Sequence, residues 1–226
     1  MKKLRILSLA MAAAMSVSLL AGCSNGTATT PEDDTTSTAT GTAFKIGGTA
    51  PLTGDASIYG LAVQRGAQIA VDEINAEGGS IQFELKYEDD VNDPEKAVNA
   101  YNTLKDWGMQ LSLGSVTTKP CESTSVYNFE DRIFALTPSA SSTAVAEGKD
   151  NVYQMCFTDP NQGLASADYI NSQGLGEKVF IIWKNDDVYS TGIKDTFMAE
   201  AEKLGLEVVG DATFATGNDQ DFSGQL

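Results

Sequence analysis

The chain has 226 residues, enough for one to two domains, and a formal charge of -16 from 31 acidic against 15 basic residues. That balance lacks the basic footprint that nucleic-acid binding requires. With no histidine and only three cysteines, these residues cannot form a Ser-His-Asp or Cys-His catalytic set, a His-based zinc site or a cysteine-only metal cage, so no metal or cofactor is expected.

Met1 to Gly22 reads as a leader. Lys2, Lys3 and Arg5 form a basic front, Ile6 to Leu20 an apolar stretch of signal-peptide length, and Leu20-Ala21-Gly22-Cys23 matches a bacterial lipobox. Residues 1–22 are therefore expected to be a lipoprotein signal peptide, with Cys23 lipidated. Residues 23–42, built of Thr, Ser, Ala and Gly with a few acids, lack the apolar residues of a core and read as a flexible tether. No later stretch approaches the roughly 18 apolar residues of a membrane span.

Folded structure is expected from about Phe44, where Phe44–Gly48 reads as a strand ending in the turn-rich Thr49–Asp55. Tyr59 to Ala76 has helical periodicity, with Leu61, Ala67, Ala70, Val71 and Ile74 able to share a face, and Gly78-Gly79 stops it. Ile81–Tyr87 alternates like a half-buried strand. Asp93-Pro94-Glu95 is a cap with proline at the first helical position, opening a helix that closes near Trp107-Gly108. Met109–Leu113 predicts a strand, 120–130 a helix and 132–137 a strand. Val152–Phe157 predicts another strand and Asn161–Gln173 a helix. A fresh unit follows: strand Val179–Trp183, helix Thr191–Leu204 stopped by Gly205, strand Leu206–Phe214, and another helix opening at Asp221–Leu226. Strands alternating with helices argue for an α/β fold with parallel sheets flanked by helices. The second unit has too few elements to close a core, so the second lobe is expected to be truncated.

Two loops dominate the chemistry. Gly114-Ser115-Val116-Thr117-Thr118-Lys119 follows one apolar strand, and Thr137-Pro138-Ser139-Ala140-Ser141-Ser142 follows the next. In an open α/β sheet ligands bind at the carboxyl ends of the strands. Hydroxyls, backbone N–H groups and a helix N-terminus there suit a carboxylate or another small anion. The plainer reading is two βα turns, since Ser and Thr are common helix caps.

These loops, with Gly48-Thr49-Ala50-Pro51-Leu52-Thr53-Gly54, Tyr59-Gly60, Ala70-Val71-Asp72-Glu73-Ile74-Asn75, Glu88-Asp89-Asp90, Phe157-Thr158-Asp159, Gln162-Gly163 and Asp221-Phe222-Ser223, give the chain a family look from Phe44 onward. It resembles the substrate-binding lipoprotein of a branched-chain amino acid ABC transporter, the Leu/Ile/Val type of periplasmic-binding-protein-like fold. The resemblance implies two lobes, the first at 43–159 and the second beginning at 160–226, closing over a small amino acid. It implies that Ser115 and Ser141 hold the ligand carboxylate, that the Ser139 carbonyl takes the ammonium, and that Tyr59 and Tyr189 wall the ligand from either lobe. It also implies an ABC transporter permease as partner and a bacterial, extracytoplasmic, membrane-anchored location. The family's further ammonium ligands lie beyond Leu226, and relatives often carry Thr where Ser141 stands, so the ligand could be another small amino acid or an amide-like solute.

Two alternatives stand beside this reading: a ligand-sensing receptor domain of the same fold, and a carboxylate-dependent hydrolase using Asp89-Asp90 or Asp186-Asp187. Both acidic pairs are adjacent in sequence, so their side chains diverge and read as solvated loop acids. An oxidising location would permit a Cys121–Cys156 disulfide pinning the first loop to the crossover; the alternative is two buried free thiols.

Overall fold

The computed structural model describes residues 42–218 and 221–226. The leader at 1–22, Cys23 and the tether up to residue 41 lie outside the described residues. Thr42 already belongs to the first strand.

The chain begins with β1 (Thr42–Ala50), α1 (Ser57–Ala76), β2 (Ile81–Asp89), α2 (Pro94–Trp107) and β3 (Leu111–Leu113). It continues with α3 (Thr118–Glu130), β4 (Phe134–Thr137), a short 3-10 turn (Thr143–Val145) and β5 (Val152–Gln154). These strands form one parallel sheet in the order β2-β1-β3-β4-β5. The order reverses between β1 and β3, and the crevice outside the carboxyl ends at such a reversal is the usual ligand position in doubly wound sheets. A second sheet pairs β6 (Lys178–Lys184) with β7 (Glu207–Phe214), also parallel, accompanied by α4 (Asp159–Ser172) and α5 (Val188–Leu204).

Local chemistry explains the helix ends. The Asp93 carboxylate accepts from Lys96 N at 2.9 Å with Pro94 in the first turn, and Gly108 ends α2 in the left-handed region at φ 93°. Asp187 caps α5 by accepting from Ser190 N at 3.2 Å, and Gly205 closes it at φ 75°. The first core lies under α2 and α3. Tyr101, Leu104 and Met109 form one buried group, and Cys121, Ala135, Ala140, Val145 and Val152 another. Full burial of a side chain the size of Leu contributes about 1.5–3 kcal/mol. Around the second sheet, Ala167, Phe197, Ala201 and Leu206 join α4, α5 and β7. There α4 and α5 touch closely: a Cβ at Gly163 would fall 2.0 Å from Thr196 Oγ1 and 2.6 Å from the Ile193 carbonyl oxygen.

Several expectations need correction. On α1 the buried positions are Gly60 and Val71, while Ala70 and Ile74 are exposed; Gly60 sits so close to the Pro51 backbone that a Cβ there would fall 2.1 Å from Pro51 O. The helix after the first loop starts at Thr118 rather than Pro120, and α4 starts at Asp159 rather than Asn161, since proline is accommodated within the first turn. The strand at 152 ends at Gln154, beyond which Met155 and Phe157 are exposed. Residues 221–226 form a turn, not a helix start, held by Gln225 N donating to Phe222 O at 2.9 Å and Gln225 Nε2 to Thr213 O at 3.0 Å.

Candidate functional site

The two hydroxyl loops lie side by side, because β3 and β4 are parallel neighbours and both loops leave their carboxyl ends. They are stitched together. Thr137 Oγ1 donates to Ser115 O at 2.7 Å, Ser139 Oγ donates to Val116 O at 2.5 Å, and Ser141 N donates to Thr118 Oγ1 at 3.2 Å. Gly114 is what lets the first loop approach: its φ is +145°, and a Cβ there would fall 2.7 Å from Thr49 O.

Ser115 is buried, and its hydroxyl meets those of Thr49, at the end of β1, and Thr124, on α3. Thr49 and Ser115 thus bridge the two strands between which the sheet order reverses. Ser141 is also buried, yet its hydroxyl completes no hydrogen bond, and neither does Thr117 Oγ1. Orphaned buried hydroxyls are costly unless something satisfies them. The structure gathers Ser115, Ser139 and Ser141 in the two loops that leave the carboxyl ends of β3 and β4.

Asp159 was missed by the sequence reading as a site residue. It is the first residue of α4, where the chain passes to the second sheet, and its N–H donates to Ser141 O at 2.9 Å. Its carboxyl is buried and Oδ1 has no hydrogen-bond partner. Burial raises its pKa; the facing Ser141 hydroxyl lowers it, and Asp187 and Glu122 raise it further. The sequence foreshadows it only through the Phe157-Thr158-Asp159 segment of the resemblance and an Asp-Pro pair that reads equally well as a helix opening.

Tyr59 lies in the first turn of α1, which follows the carboxyl end of β1, and is exposed. Tyr189 lies in the first turn of α5 at the carboxyl end of β6, and its hydroxyl donates to Gln162 Oε1 at 3.2 Å. Both tyrosines sit at strand carboxyl ends, each beside its own sheet.

The acidic pairs do not form a catalytic dyad. Asp89 accepts from Leu52 N at 2.8 Å and from Thr53 Oγ1 at 2.5 Å, fixing the loop before α1. Asp90 is wholly buried rather than solvated: it follows β2 directly, its N–H donates to Ala50 O at 2.9 Å, continuing the pairing with β1, and its Oδ1 accepts from Asn92 N at 2.9 Å. Asp186 accepts from Thr216 N at 3.0 Å, and Asp187 is the α5 cap. Of the two alternatives for Cys121 and Cys156 the structure has the free thiols, with Cys156 only partly buried: its thiol donates to Ala140 O at 3.3 Å, and Cys121 is packed in the core, where burial pushes its pKa up to about 12.

Residues 43–226 match a family described as periplasmic binding protein. The chain is 35% identical over 182 residues to Leu/Ile/Val-binding protein homolog 3 of Brucella melitensis, covering 79% of this chain and 49% of that protein. It is 32% identical over 169 residues to an amino acid binding protein of Pseudomonas aeruginosa, covering 73% of this chain and 45% of that one. Among solved structures, the branched-chain amino acid transporter substrate binding protein LivJ of Streptococcus pneumoniae, in complex with isoleucine, matches at a TM-score of 0.75 and 29% identity over 81% of this chain and 53% of that one. The chain thus spans about half the length of the relatives it matches.

Proposed function

The chain belongs to the periplasmic binding protein family, and we propose that it receives a small, branched-chain-type amino acid for an ABC importer. In this reading residues 43–159 are the first lobe and the second begins at 160. Binding is closure of the lobes over the solute, with no bond made or broken. A lipidated Cys23 tethers the protein outside the cytoplasmic membrane, where it meets its permease.

The observation that carries the reading is the pair of stitched loops with unpartnered Ser141 Oγ and Thr117 Oγ1 at the same sheet edge as Ser115. A ligand carboxylate offers these hydroxyls an acceptor with which they complete a hydrogen bond, which Ser141 does not do with the Asp159 carboxyl it faces. Its ammonium goes to the Ser139 carbonyl and to Asp159, whose unpaired carboxylate favours an amine-bearing solute over a simple anion. Tyr59 and Tyr189 close over the side chain from either lobe. An amino acid pairs every one of these groups, which is the condition for burying a zwitterion.

Calorimetric titration with leucine, isoleucine and valine tests this. Saturable one-to-one binding without turnover of the corresponding amides supports the reading. Amide hydrolysis, or binding of amine-free carboxylates in place of amino acids, contradicts it.

A further inference from the structure

Gln154 is the last residue of β5, on the same face of the strand as Val152, which shares a core group with Cys121 of α3. Its side-chain nitrogen Nε2 donates to Ala140 O and to Ser142 O, each at 2.8 Å. Those two carbonyls flank Ser141. The carbonyl of Ser141 itself accepts from Asp159 N at 2.9 Å, and that of Ala140 takes a second bond from Cys156 Sγ at 3.3 Å. Residues 154–159 therefore hold three successive carbonyls of the second hydroxyl loop. The carbonyl of Ser139 is different: among the described residues nothing donates to it, and Ser139 is exposed.

Ala140 and Ser141 are buried, so their carbonyls need partners within the protein. A loop without those partners could turn any of four carbonyls toward a solute. Held at 140, 141 and 142, it offers one. The same residues carry the chain toward the second sheet, since β5 ends at Gln154 and α4 opens at Asp159. The loop and the crossover are thus tied to each other directly.

We propose that Gln154 is a positioning residue for the amino-acid site: by donating to the carbonyls on either side of Ser141, it locks the loop so that the Ser139 carbonyl stays as its one acceptor for the ligand ammonium. This rests on the functional reading above. Because the crossover holds the loop, movement of the second lobe acts on the ligand's ammonium end without an intervening element.

The experiment compares the full chain with Gln154→Met and Gln154→Arg. Methionine is close to glutamine in shape and has no N–H to give. Arginine is a planar, donor-only group able to reach both carbonyls. Hydrogen exchange on the ligand-free protein reads the lock. Gln154→Met should speed exchange of the Ser141 and Asp159 amides, while the Lys96 amide at the α2 cap keeps its wild-type rate. Gln154→Arg should restore slow exchange at both. Isoleucine titration reads the site. If the unlocked loop is competent about a tenth of the time, Gln154→Met binds about tenfold more weakly, and Gln154→Arg recovers the loss. Wild-type affinity in Gln154→Met would overturn the proposal. So would an arginine variant as impaired as the methionine one, or a Lys96 amide that speeds up with the others, since either makes Gln154 a general structural residue. If the exchange pattern is present and the wild type does not bind isoleucine, the lock on the loop stands and the amino-acid reading falls.

Discussion

Thr137 and Ser115 are joined by a hydrogen bond of 2.7 Å from the threonine hydroxyl to the serine carbonyl, and the same hydroxyl accepts the Ala140 N–H at 3.0 Å. One buried side chain therefore fixes both loops of the site, one by donating and one by accepting. The relative position of Ser115 and Ser141 follows from this knot as much as from the sheet.

Thr137→Val keeps the shape and removes both bonds. It should destabilise the fold by about 1–3 kcal/mol, because a buried carbonyl and N–H lose their partner. Urea denaturation reads the loss. Amino-acid affinity should fall with it, since the loops are no longer held in register.

Ser115→Ala should also cost stability, about 1 kcal/mol, because its hydroxyl serves Thr49 and Thr124 even without ligand. The measurement is the same denaturation midpoint. Equal stability of wild type and variant would show that these two hydroxyl contacts do not hold the fold.

Gly163→Ala should damage the second sheet's helix pair. Its Cβ would meet backbone atoms, Ile193 O and Phe197 N, each at 2.6 Å, so neither helix can yield by a side-chain rotation. Overpacking of this kind costs about 1–3 kcal/mol. Hydrogen exchange should show faster opening of α4 and α5 with the first sheet unchanged.

Asp159 gives a pH signature. Its folded pKa is raised, first by burial, so the folded chain binds a proton more readily than the unfolded one. Its contribution to stability is therefore greatest in acid and is lost as pH rises through the folded value. Asp159→Asn should melt higher than wild type at neutral pH in the absence of ligand. The same variant should bind amino acids more weakly, because the ammonium loses its counter-charge. Thermal shift with and without isoleucine measures both.

Much of this was legible in the residues. The Asp93-Pro94 cap and the glycines at 108 and 205 fixed helix limits through local chemistry that needs no tertiary context. The hydroxyl loops declared themselves by following two short apolar runs. What stayed hidden depended on contacts between distant segments. Asp90 looked like a loop acid because its burial goes with the pairing of β1 and β2, not with its neighbours in sequence. The partnership of Thr49, Ser115 and Thr124 joins β1, the loop after β3 and α3, and no spacing within one segment announces it. Asp159 counted only as part of the Phe157-Thr158-Asp159 segment of the resemblance, although the same position that opens α4 also sets its carboxyl beside Ser141.

The most direct test of the central claim is isoleucine titration of Ser141→Ala against wild type, with denaturation run in parallel. Ser141 Oγ completes no hydrogen bond in the ligand-free chain and only faces the Asp159 carboxyl, so its removal should change stability by less than about 1 kcal/mol. Affinity should fall about tenfold or more, the loss of one hydrogen bond to a charged group. Unchanged affinity, or a loss of stability that accounts for the whole effect, would contradict a carboxylate held jointly by the two loops.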